Sequence, residues 1–207
     1  MHPGFFSPKE LGEELDVFIT PHQQAPVIVR DDLGLTLRFM KFSLVPAWSN
    51  TSKVAFATHN ARLDGLAEKA TWRKPLVTRR AVVPLSSFVE PIYVREHAGH
   101  MVEFFRKDLR TLYAAALWDE WTDKTTGEVL ESFAIITDEP YLFVEETGHE
   151  RSPLFLNDDA IEGWLDPAKR DPRALLQYLR EHRIVPEFDC RRFRALKPGW
   201  EKRRNSR

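Results

Sequence analysis

A single cysteine, Cys190, occurs among 207 residues, so an internal disulfide is impossible and a multi-thiolate zinc site is excluded. One isolated thiol also suits a reducing cytosol. The first thirty positions hold no uninterrupted apolar run flanked by basic residues, so neither a signal peptide nor a membrane-spanning helix is expected. An excess of charge of one sign is missing too: 30 Lys+Arg stand against 31 Asp+Glu. No overall positive field therefore advertises nucleic acid, and any such contact must come from a local patch. Repeats and low-complexity segments are absent. Together these absences predict a cytoplasmic monomer with no membrane association.

The length suits one domain with a real core, covering residues 1–207 and ending in a basic tail over 201–207. Ser7-Pro8-Lys9-Glu10 combines an N-cap serine, a proline at the first helical position and a glutamate three after the cap, which predicts a helix to about Leu15. Val27 to Arg30 and Leu35 to Ser43 read as strands around an Asp31-Asp32-Leu33-Gly34 turn, with Leu35, Leu37, Phe39, Leu44 and Val45 supplying core. Alanine and leucine spacing predicts a helix from Asp64 to Trp72. Ala81 to Pro84, Met101 to Arg106, Thr111 to Trp121 and Ser132 to Thr137 read as strands. Asn157 is expected to cap a helix toward Leu165, and Asp171-Pro172 another with Leu175, Leu176 and Leu179 on one face. Many short strands and few helices predict an α+β fold with a strongly curved, mainly antiparallel, barrel-like sheet.

Three segments set polar residues inside otherwise structural sequence: Asn60-Ala61-Arg62, Phe88-Val89-Glu90-Pro91 and His149-Glu150-Arg151-Ser152-Pro153. Singly, each has a plain explanation as a helix cap, a surface carboxylate or a loop histidine. Around them stand Thr20-Pro21 to Pro26-Val27, Phe42-Ser43-Leu44-Val45-Pro46-Ala47-Trp48, Ala67 to Arg73, Arg80 to Pro84 and Leu117-Trp118-Asp119-Glu120-Trp121. In order and spacing, from about Phe18 to Pro167, these segments resemble the SOS-response-associated peptidase (SRAP) family.

That resemblance implies a protein that holds single-stranded DNA at an abasic site. In the family an amino-terminal cysteine condenses with the ring-opened sugar. Its amine forms a Schiff base, and its thiol closes this to a thiazolidine crosslink. By the same resemblance Asn60 orients the amine, Glu90 shuttles its protons, and His149 protonates the ring oxygen. Arg62 and Arg151 are expected to hold phosphates, or else to form surface ion pairs. Arg80 is placed with these DNA-binding residues. Trp48 is either a stacking plate for a base or a core tryptophan. No metal or other cofactor is expected, because His97-x-x-His100 lacks thiolate or carboxylate partners at metal spacing.

The sequence departs from the family at its start, which reads Met1-His2-Pro3-Gly4 where the family has Met-Cys. Histidine cannot close a thiazolidine, and Cys190 reads as a structural thiol in a strand. Two explanations stand open. One is a natural protein whose first strand and nucleophile precede Met1, favoured because a missing strand leaves a sheet edge unpaired. The other is a homologue that gives up the crosslink and binds single strands without covalent chemistry. Proteolysis of other proteins ranks last, since no Ser-His-Asp or Cys-His arrangement is visible.

Overall fold

The computed structural model of the protein describes residues 4–6 and 17–204. The strands β1 (Gly4–Phe6), β2 (Phe18–Ile19), β3 (Gln24–Asp31), β4 (Gly34–Phe42) and β5 (Asn60–Arg62) precede helix α1 (Ala70–Thr78). Then come β6 (Arg80–Leu85), β7 (Ser87–Ile92), β8 (His100–Arg106), β9 (Leu112–Thr122) and β10 (Val129–Asp138). The chain ends with α2 (Leu142–Thr147), β11 (Ser152–Pro153), β12 (Phe155–Leu156), α3 (Ile161–Leu165), α4 (Pro172–Glu181), β13 (Phe188–Ala195) and α5 (Glu201–Arg204).

β10, β4, β3, β6 and β9 pair in that order, and β9 pairs back onto β10, so these strands close a barrel. All its pairings are antiparallel except β4 with β10. A second sheet, ordered β13-β8-β7-β1-β2, shares the barrel's interior core: Val27, Met40, Phe42 and Phe133 of the barrel join Phe5, Phe88, Phe104 and Phe188 of the sheet. The outer face of the barrel is covered by α1, α3 and α4, whose Trp72, Leu76, Trp164, Leu175 and Leu179 bury Val82, Ala115 and Leu117. The α+β, barrel-like, mainly antiparallel fold anticipated from the sequence is therefore the one observed.

Side-chain parity in β4 is the reverse of the expectation. Met40 and Phe42 point into the barrel, so Leu35, Leu37 and Phe39 point outward, and Phe39 is 62% exposed. Leu44 and Val45 are buried as expected. The helix expected from Asp64 begins later: a single 3-10 turn spans Leu63–Gly65, and α1 runs on to Thr78 because Trp72 and Leu76, four apart, share its buried face. Both anticipated caps form, Asn157 Oδ1 accepting from Ala160 N and Asp171 Oδ1 from Arg173 N. The helix expected over Ser7 to Leu15 lies outside the described residues.

The edge of β7 is not left unpaired. β1 lies against it in antiparallel register, Gly4 opposite Val89 and Phe5 opposite Phe88, and β2 pairs on the far side of β1. A Cβ on residue 4 would strike the Ile19 carbonyl oxygen, so glycine is what lets β1 and β2 approach. A three-residue strand is too short for periodicity to reveal.

Candidate active site

β7 carries Glu90 on the barrel side of the second sheet, where it is almost fully buried. His149 reaches it from the turn after α2. Gly148 takes φ 109°, and a side chain there would press on the Val94 carbonyl, so the chain reverses and delivers His149 inward. His149 Nε2 comes to 3.4 Å from Glu90 Oε2, both side chains little exposed at 8% and 11%. His149 Nδ1 lies 2.8 Å from the Arg151 carbonyl oxygen. The Arg151 N–H also reaches Nδ1, at 3.3 Å, so the turn backbone engages this nitrogen in either tautomer, and Nε2 is the nitrogen that faces Glu90.

Asn60 opens β5, in register with Ile135 of β10. It lines a narrow cleft together with Glu90, Gly4, Phe5, Phe42 and Pro153. The cleft's volume of about 20 Å³ fits one water-sized group, such as an amine or a hydroxyl, and not a sugar. On its other side His149 lines an open hollow of about 370 Å³ with Tyr93, Arg95, Glu139, Glu145 and Glu150. The imidazole thus stands between an outer hollow and the inner carboxylate, an arrangement able to relay a proton.

The other expected residues divide. Arg62 is exposed and bound through Nε and Nη2 to both oxygens of Asp64, at 3.1 and 2.8 Å; these bonds hold the Asp64 carboxyl below its ordinary range. Arg151 donates from Nη2 to the Thr137 carbonyl at 3.0 Å and faces Glu139 at 3.8 Å, while its buried Nε has no hydrogen-bond partner among the described residues. Trp48 is 57% exposed, which decides against a core role. Its neighbours are clamped: Asp119 Oδ2 accepts from Ala47 N, and Trp121 Nε1 donates to the Ser49 carbonyl, each at 2.8 Å. The Trp118 to Trp121 motif therefore serves to hold the Trp48 turn.

Arg80 does not face solvent, and its placement with the DNA-binding residues is corrected. It is buried, donating from Nε to the Trp164 carbonyl at 2.6 Å, from Nη1 to the Leu76 carbonyl at 3.0 Å and from Nη2 to the Asp166 carbonyl. These are carbonyls at the ends of α1 and α3, left without partners inside their own helices. Burial lowers the guanidinium's pKa from its ordinary value, with the Asp166 charge opposing. Cys190 sits in β13 with Sγ 4.0 Å from His97 Nε2, a proximity invisible across 93 positions of sequence. Burial pushes its thiol up, opposite to what a thiolate nucleophile needs.

Comparison with known proteins identifies the family and the fold. A family model described as SOS response associated peptidase (SRAP) matches residues 8–193. The chain is similar to the abasic site processing protein YoqW of Bacillus subtilis (strain 168), 29% identical over 164 residues that cover 79% of this chain and 72% of that protein. It is also similar to the abasic site processing protein HMCES of Gallus gallus, 30% identical over 193 residues, 77% of this chain and 56% of that one. Among solved structures, a protein from Bacteroides thetaiotaomicron superposes with a TM-score of 0.71 at 25% identity, over 90% of this chain and 82% of that one. A protein from Bordetella bronchiseptica shares the fold with a TM-score of 0.73 at 18% identity, over 95% of this chain and the whole of that one.

Proposed function

This chain belongs to the SOS response associated peptidase (SRAP) family, and from that premise we propose that it acts on abasic sites in single-stranded DNA, using Asn60, Glu90 and His149. The observation that carries this reading is the 3.4 Å approach of His149 Nε2 to Glu90 Oε2, beside a cleft that also takes Asn60 and the Gly4 end of β1. Condensation of an amine with an aldehyde requires a proton to leave the attacking ammonium and another to reach the oxygen that departs as water. Glu90 takes the first proton from the amine and gives it to the carbinolamine hydroxyl, which departs as water. His149 delivers one to the sugar's ring oxygen as the ring opens, and the Asn60 amide orients the amine. The cleft admits the amine, and the sugar meets it at the mouth. Arg62 and Arg151 exchange their carboxylate partners for phosphate oxygens, and Trp48 stacks on a neighbouring base.

A specific observation favours a second reading, in which the protein grips the lesion without a covalent bond: Cys190 is held in β13, where burial pushes its thiol pKa up. One experiment separates the two. The purified protein is incubated with a single strand bearing one abasic site, with and without borohydride, and run on a denaturing gel. A stable band without reductant supports a crosslink, and a band only after reduction supports an imine. No band, together with salt-sensitive binding that Arg62→Ala weakens, supports the non-covalent reading. No band and no preference for abasic over intact strands would overturn the proposal.

A further inference from the structure

The outward parity of β4 leaves an apolar strip open to solvent. Leu35, Leu37 and Phe39 stand on the outer face at alternate positions, and Leu33 heads the row from the turn, with exposed fractions of 46%, 42%, 62% and 92% in chain order 35, 37, 39 and 33. β3 extends the strip sideways, since Ile28 lies opposite Leu37 and Pro26 opposite Phe39 in the antiparallel register. The helices stop short of it: α1, α3 and α4 bury Val82, Ala115 and Leu117 of β6 and β9 and reach Ile28, but none of the outward residues of β4. Nor does the barrel interior use this face, because Met40 and Phe42 fill it from the other parity. A row with the alternation of a buried surface is thus left for something outside the fold to cover.

Area, charge and symmetry favour a second copy of the chain as the occupant. At about 150–200 Å² for a whole large apolar side chain, the exposed fractions amount to about 400 Å² of contiguous apolar surface, a size at which patches serve as interaction sites. Facing two such strips removes about 800 Å², and a polar rim brings the total to about 1,200 Å², the low end of specific interfaces. Positions 33, 35, 37 and 39 hold no ionisable group that would select a charged partner or a phosphate chain. Arg38, between them, turns to the opposite face, onto Asp31, Glu131 and the Trp118 ring. A net charge of −1 gives two copies almost nothing to repel. The strip is also self-complementary: laid antiparallel about a two-fold axis at Leu37, that residue meets its own copy and Leu35 meets Phe39 of the second chain.

We infer that the outer face of the β3–β4 hairpin is a homodimer contact, in which two copies pack residues 33–39 against each other about Leu37. Phe42 lines the cleft from the inner side of the same strand, so each copy keeps its own cleft accessible.

Sedimentation velocity of the full chain over a concentration series tests this. The native protein is expected to pass from monomer to dimer in the micromolar range, as suits a small apolar interface. Leu37→Glu and Leu37→Lys each set like charges against each other on the axis and should weaken association about tenfold or more, whereas an equimolar mixture of the two should recover it, because unlike charges then meet. Phe39→Ser, removing the ring that faces Leu35 of the second copy, should weaken it about fivefold with no change in melting temperature. A native chain that stays monomeric throughout the series overturns the contact and restores the monomer expected from the sequence. A dimer that Leu37→Glu and Phe39→Ser both leave intact also overturns it. So does a loss of association that mixing the two Leu37 variants fails to reverse while their melting temperatures match the native one.

Discussion

Two hollows of the molecule differ in charge. The one under the 43–59 loop presents Lys41 and Lys53 with no carboxylate, whereas the one outside His149 presents Glu139, Glu145 and Glu150 against Arg95. The first hollow favours an anion and the second disfavours one, so in a protein of nearly balanced charge the orientation of the proposed DNA strand would follow from local asymmetry rather than from net attraction. Arg62 and Arg151 each face a carboxylate, Asp64 at 2.8 Å and Glu139 at 3.8 Å, which a phosphate would displace on the proposed reading.

The largest effect should come from Glu90 and His149. Glu90→Gln or His149→Ala is expected to slow adduct formation on abasic DNA about a hundredfold or more, measured as the initial rate of borohydride-trapped product. An unchanged rate would remove the proton relay from the mechanism. Arg80→Ala is a control lying on neither side. Stripping the carbonyls of Trp164 and Leu76 of their donor should cost about 2–4 kcal/mol in denaturant unfolding while leaving the salt slope of DNA binding as it was. A flattened slope would return Arg80 to the interface.

Arg151→Ala should weaken single-strand binding about tenfold and reduce the salt slope by about 0.7. Because Arg62 is the more exposed, Arg62→Ala should do the same with less effect on the fold. The smallest change tests the asymmetry itself. Glu139→Gln frees Arg151 and lightens the acidic side, so affinity should rise about two- to threefold at low salt, with the gain vanishing at high salt. A loss of affinity would mean that the carboxylate positions the arginine rather than competing for it.

How far each feature could be read in advance follows from what holds it. Asn60, Glu90 and His149 were singled out only through the resemblance of their surrounding segments to the family, and the structure adds that His149 Nε2 lies 3.4 Å from Glu90 Oε2. The strands from β6 to β10 were legible because apolar alternation is a local signal. Parity in β4 was not: Leu35, Leu37 and Phe39 carry the same alternation as a buried face, and only the inward packing of Met40 and Phe42 settles which set faces out. Arg80 misled for a related reason. A guanidinium suits phosphate oxygens and helix-end carbonyls equally, and the chain does not say which lies within reach.

By itself the sequence determined the fold class and the order of the segments that carry Asn60, Glu90 and His149, because these rest on residue type, local period and order along the chain. Tertiary structure alone decided that β1 closes the edge of β7, that His149 turns its Nε2 to Glu90, and that the 43–59 loop roofs a cationic pocket. Those facts depend on contacts between segments far apart in sequence, formed only once the barrel closes and burial selects which side chains share a space.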